Sequence, residues 1–174
     1  MKNNVDYALE KARKNTPISL YGEVIESMKE VLLNEIRTKL QPDKLERLIE
    51  WYFNKIGADR VEIPAKNEKL KRDKSDGDII ADFELLKVRV LVQAKYHEGK
   101  TDDWAIEQIH KYSEQLEELE DDEYTYINWV ITTANDFTKE AISLAKEKEV
   151  RLINGSDFSE MLIDAGLEGL SQSF

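Results

Sequence analysis

Apolar positions recur along this chain with two different periods. After Pro42, Leu45, Leu48, Ile49, Tyr52, Phe53 and Ile56 fall on one helical stripe, which Gly57 closes. Upstream, Ile25, Met28, Leu32, Ile36 and Leu40 form a second stripe behind a candidate cap at Ser19, so residues 3–40 read as helical. The period then drops to two. Ile79, Ala81 and Phe83 alternate with Asp78, Ile80 and Asp82; Val88, Val90, Val92 and Ala94 alternate with Arg89, Leu91, Gln93 and Lys95. That pattern predicts two neighbouring strands, with a shorter one at Val61-Glu62-Ile63 before them.

Further along, Trp104, Ile109, Tyr112, Leu116 and Leu119 predict a helix over residues 102–119. The apolar run 126–133 is short for a helix and reads as a buried strand. Asn135 or Asp136 is expected to cap a helix through Glu147, followed by a strand at 150–153, a turn at Asn154-Gly155, and a last helix carrying Phe158, Met161 and Leu162. Strand, helix and strand alternate toward the end. The fold class predicted is therefore α/β: a mixed sheet flanked by helices, parallel in its second half. Residues 1–40 read as an N-terminal helical extension and 41–174 as the main domain.

Composition narrows the function. The 174 residues contain no cysteine, which excludes disulfides and thiolate metal sites. The N-terminus lacks an apolar signal region, and no window approaches the roughly 20 apolar residues of a membrane helix. A cytoplasmic protein with no membrane partner is expected. The net charge is −11, which opposes phosphate binding by the chain as a whole. A nucleic-acid enzyme of this charge needs a metal ion to supply positive charge locally, or a partner to supply affinity.

One constellation carries candidate chemistry. Gln93 and Lys95 lie two apart on a strand and share a face. Asp78 opens the preceding strand. With a two-residue turn at 85–86 it pairs with Gln93; with the turn at 86–87 it pairs with Lys95. Either register gathers a carboxylate, an amide oxygen and an ammonium. Magnesium favours oxygen ligands and is held by one or two carboxylates plus waters and phosphate, so Asp78 and Gln93 are candidate ligands. Lys95 is placed to orient an attacking water and to meet developing negative charge. Glu46, on the stripe of Ile49 and Phe53, is a fourth candidate. The basic segment 66–74, just before Asp78, offers Lys69, Lys71, Arg72 and Lys74 as phosphate contacts, and Gln108 offers another nucleic-acid contact.

Gly77-Asp78-Ile79-Ile80-Ala81 followed by Val90-Leu91-Val92-Gln93-Ala94-Lys95 resembles the catalytic domain of Mrr-type restriction endonucleases. These are the PD-(D/E)xK nucleases in which glutamine replaces the usual acid. The stretches Leu45–Ile49, Val130–Ala141 and Arg151–Phe158 are similar to that family's early helix, late strand with its helix, and closing strand. Gly77 stands where the family has proline, and Asn154 where it usually has aspartate. The resemblance implies a restriction-endonuclease-like fold and Mg2+-dependent hydrolysis of DNA phosphodiesters, Mn2+ substituting. It assigns Asp78, Gln93 and Glu46 to the metal and Lys95 to the water.

Other residues read more simply. Asp82 is expected to face solvent, Asp76 to serve a turn, and His97 and His110 to lie at the surface or against a helix. The tryptophans are expected in the core or an interface. The expected activity is endonucleolytic cleavage of DNA in restriction or defence. A structure-specific or repair nuclease, one that also cuts RNA, or a silent interaction subunit are the alternatives. A homodimer and a separate recognition or regulatory partner are further expectations.

Overall fold

The computed structural model describes residues 20–64, 77–120 and 122–170. The segment before residue 20, Asp76, and the basic positions Lys69, Lys71, Arg72 and Lys74 lie outside the described residues. The elements are α1 (Leu20–Lys39), α2 (Pro42–Lys55), β1 (Arg60–Glu62), β2 (Ile79–Phe83), β3 (Val88–Lys95), β4 (Lys100–Thr101), α3 (Trp104–Leu119), β5 (Thr125–Thr132), β6 (Asp136–Phe137), α4 (Lys139–Glu147), β7 (Val150–Ile153) and α5 (Gly155–Ala165).

Five strands form one mixed sheet in the order β1-β2-β3-β5-β7. Connection length sets the direction of each pairing. A short link joins β2 to β3, which pair antiparallel, whereas α3 and α4 carry the chain back across the sheet so that β5 and β7 pair parallel. The short link is not a two-residue turn. Glu84–Leu86 form a single 3-10 turn, and Lys87 takes the left-handed conformation with φ 50°. The register is still the first of the two expected: Ile79 pairs with Val92, and one step outward the Asp78 N–H donates to the Val92 carbonyl at 2.8 Å.

Helices cover both faces of the sheet. On one face Leu45, Leu48, Ile49 and Phe53 of α2, Ile36 and Leu40 at the end of α1, and Phe158 and Leu162 of α5 pack against Ile79, Ala81, Val90 and Val92. On the other, Ile106, Ile109 and Leu116 of α3 with Ala141 and Ala145 of α4 pack against Leu91 and Val130. The odd positions of β3 thus belong to the α3 face and the even ones to the α2 face.

Local signals explain the ends. The helix after β5 begins later than expected: Thr138, not Asn135 or Asp136, caps α4 by accepting the Ala141 N–H, while Asp136 and Phe137 pair parallel with Lys100 and Thr101. Asn154 Oδ1 caps α5 at 2.9 Å from the Asp157 nitrogen, a task asparagine and aspartate share equally. At Gly155 a Cβ would stand 2.7 Å from Leu33 Cδ1 and 2.8 Å from the Thr133 carbonyl oxygen, so only glycine lets α1 settle there. Among the described residues no helix is long and apolar enough to cross a membrane.

Candidate active site

The strand pair brings Asp78, Gln93 and Lys95 onto one face, the face covered by α3. Asp78 is 7% exposed and Gln93 2%. One carboxylate oxygen, Asp78 Oδ2, accepts the Ala94 backbone N–H at 2.7 Å and the Gln93 side-chain amide N–H. A carboxylate held by two N–H donors is fixed in orientation before any ligand arrives.

The other end of the Gln93 amide has no such partner. Among the described residues Gln93 Oε1 is a buried acceptor with no hydrogen-bond partner. Buried polar atoms are almost always satisfied, and leaving one unpaired costs about 1–3 kcal/mol. The amide cannot turn over to relieve this, because Oε1 would then face the Asp78 carboxylate. A neutral oxygen is thus kept available immediately beside a carboxylate.

That donor set fits a hard divalent cation, which takes oxygen ligands and fills its remaining positions with water and phosphate. Among the described residues no group of three or more His, Cys, Asp or Glu is placed to hold a metal ion.

Lys95 lies at the end of β3, half-buried, and its Nζ donates to Gln108 Oε1 on α3 at 2.7 Å. Gln108, expected to reach DNA, accepts a hydrogen bond from this lysine. Beside it, on β5, Thr132 pairs with Lys95 in the sheet register and accepts the Thr101 hydroxyl at 2.8 Å, while His97 Nε2 lies 2.9 Å from the same Thr101 oxygen. His97 is therefore tied into the loop after β3.

Glu46 is carried by the first turns of α2, half-buried, on the helix that packs against the opposite sheet face. The strand pair therefore brings three of the four candidates together, and the fourth is carried by α2.

One residue of this site, Tyr112, was not picked out in the sequence. Tyr112, 5% exposed, lays its ring against Gly77: a Cβ there would overlap Cδ1 and Cε1 of the ring. Glycine in place of proline before Asp78 thus has a steric reason. The i, i+4 spacing of Gln108 and Tyr112 on α3 was the available signal.

Asp82 corrects an expectation. It does not face solvent but is 2% exposed, and it accepts both the Nε (2.7 Å) and Nη2 (3.1 Å) donors of Arg89. Arg89 Nη1 also binds Glu120, and Asp122 at 2.9 Å. Alternation cannot separate a covered face from an open one when helices cover both. Trp129 meets the expectation of core packing, its ring 5.5 Å from that of Phe53.

No curated protein matches the chain. Among solved structures it is similar to AF1548, a protein of unknown function, with 14% identity and a TM-score of 0.55 over 72% of this chain and 67% of that one. It is also similar to the MspJI restriction endonuclease, solved in complex with a 27-mer oligonucleotide, with 19% identity and a TM-score of 0.49 over 90% of this chain and 36% of that one. Residues 37–162, well over half of the chain and the span containing Glu46, Asp78, Gln93, Lys95 and Gln108, match the Mrr catalytic-domain family of restriction endonucleases. With the helix-covered mixed sheet and its strand-end carboxylate and lysine, the chain has the restriction-endonuclease-like fold and belongs to the restriction endonuclease family.

Proposed function

We propose that this protein is a metal-dependent endonuclease that hydrolyses phosphodiester bonds in DNA, acting in restriction or another defence role. The observation that carries the reading is the pairing of a buried, twice-donated carboxylate, Asp78, with an amide whose oxygen has no hydrogen-bond partner among the described residues, two residues along the strand from a lysine. A structural polar pair satisfies itself; this one holds an acceptor in reserve.

In this reading Asp78 and Gln93 are the oxygen ligands of a Mg2+ ion, Mn2+ substituting, in the glutamine-bearing version of the family's acidic pair. Glu46 supports that site from α2. When bound, the ion neutralises charge on the phosphate and lowers the pKa of a water. Lys95 orients the attacking water and meets the negative charge that develops on phosphate. Lys69, Lys71, Arg72 and Lys74 are assigned to the DNA backbone. The main domain is residues 41–174; residues 1–40 are an extension that serves a homodimer, and a separate recognition partner adds DNA affinity.

Cleavage of plasmid DNA with and without Mg2+ or Mn2+, in wild type and Lys95→Ala, is the test. Metal-dependent cutting is expected, reduced roughly 10²–10³-fold in the variant, the usual loss when a group stabilising transition-state charge is removed. Equal cutting by both proteins would remove Lys95 from the reaction.

A further inference from the structure

The helix α3 presents two side chains to this site, one turn apart. Gln108 takes the Lys95 ammonium at 2.7 Å. Tyr112 takes the backbone of Gly77, with its ring where a Cβ would stand. The same helix is anchored through Ile106, Ile109 and Leu116, buried against Leu91 and Val130. Residues at i and i+4 lie on one helical face, so a single rigid element reaches both halves of the constellation.

We propose that Gln108 and Tyr112 form a positioning clamp that fixes Lys95 relative to Asp78. The proposal rests on the reading of Asp78 and Lys95 as reacting groups. Neither clamp residue needs to touch substrate. A lysine ammonium on four rotatable bonds samples many positions, and its usefulness beside a phosphate depends on being held in one. A neutral acceptor suits this. A carboxylate at 108 would hold the ammonium equally well but would cancel its charge, which the phosphate must share. Tyr112 acts on the other side. Asp78 is bonded to β3 through its own N–H (to the Val92 carbonyl, 2.8 Å) and through its carboxylate (from the Ala94 N–H, 2.7 Å). The ring on Gly77 closes the remaining freedom of the chain entering Asp78.

The clamp predicts effects that packing alone does not. In the full-length, metal-free protein, the Lys95 ammonium protons should give a slowly exchanging NMR signal, assigned by its absence in Lys95→Met. That signal should exchange markedly faster in Gln108→Leu than in wild type and persist in Gln108→Glu. An unchanged signal in Gln108→Leu would overturn the lysine half. If Gln108→Leu does not fold, Gln108→Met gives the same reading.

For the other half, Gly77→Ala should lower Tm by roughly 5 °C, the order expected for overpacking in a protein of this size. Tyr112→Leu should recover most of that loss when combined with it. Strictly additive effects would overturn the contact.

In the cleavage assay Gln108→Leu should lower kcat about tenfold with KM within about twofold. A raised KM at unchanged kcat would instead make Gln108 a DNA contact and overturn its positioning role. The NMR and Tm results stand whether or not the protein cuts a given DNA, so failure of the clamp and failure of the nuclease reading are separable.

Discussion

Two polar clusters sit on the same face of the same strand pair, at opposite ends, and they are built differently. At one end Asp82 and Arg89 are cross-strand partners; at the other, Asp78 and Gln93 are. Between them lie Ile80 and Leu91. Arg89, 6% exposed, is answered by Asp82, Glu120, Asp122 and the Tyr126 hydroxyl, and it stacks 4.6 Å from the Tyr124 ring centre. Charge there is fully opposed. At the Asp78 end Lys95 donates to the Gln108 amide oxygen, and among the described residues the buried Gln93 Oε1 has no donor. The difference separates an ion network that holds the sheet together from a site that keeps binding capacity for something else.

The net charge of −11 is not spread evenly over the two ends. Glu120 and Asp122, in the most acidic stretch of the chain, are fastened to Arg89 at the start of β3. Lys95 is at the other end of that strand, six residues on, or about 20 Å. That is about two Debye lengths at physiological salt, so those carboxylates weigh little on a phosphate at the candidate site.

The largest expected effect is on stability at the network end. Arg89→Ala strands a buried aspartate, and should cost about 3–5 kcal/mol by denaturant unfolding. Gln93→Leu is the matching change at the site end. It removes one donor from Asp78 and also removes the orphaned oxygen, so stability should stay within about 1 kcal/mol of wild type while metal-dependent cleavage is lost. A Gln93→Leu variant as unstable as Arg89→Ala would erase the distinction between the two ends.

The smallest effect is in pH dependence, and it belongs to the network. Burial pushes the Tyr126 hydroxyl up to about 12, with the bond to Asp122 adding to it against Arg89. Its folded value lies above the ordinary 10.0, so this stabilisation is complete below pH 10.0 and fades as pH rises through about 12. Burial alone would raise Asp122, but the Tyr124 N–H, the Tyr126 hydroxyl and Arg89 outweigh it and hold the carboxyl below its ordinary 3.8. That contribution is present above pH 3.8 and is lost as pH falls further. Tyrosinate absorbance should therefore show a late-titrating class in wild type that moves later still in Arg89→Ala, which removes the cation that holds the Tyr126 hydroxyl down. A single uniform tyrosine titration in wild type would count against the network as drawn.

Much of this was legible in the residues. The stripe from Leu45 to Ile56, the alternation from Asp78 to Lys95 and the late strand–helix–strand order specify the layers, because side-chain period and burial are tied by simple geometry. Asp78, Gln93 and Lys95 were readable as one site for the same reason: a period of two puts 93 and 95 together, and either hairpin register brings Asp78 to them. Asp82 was misread because its alternation is identical to that of Asp78. What distinguishes them is Arg89 across the strand, together with Glu120 and Asp122 arriving from the end of α3 and the loop after it.

The sequence by itself determined the main helices and strands, the mixed sheet, the residue types gathered at the candidate site and the family resemblance, since each rests on spacing within one or two adjacent segments. Only the tertiary structure decided that Gln93 Oε1 is left without a donor among the described residues, that Lys95 donates to Gln108, that Tyr112 requires glycine at 77, and that the helix carrying Glu46 packs on the face opposite α3. Each of those depends on where a helix lands on a sheet. That is set by the packing of the whole core, and no local pattern encodes it.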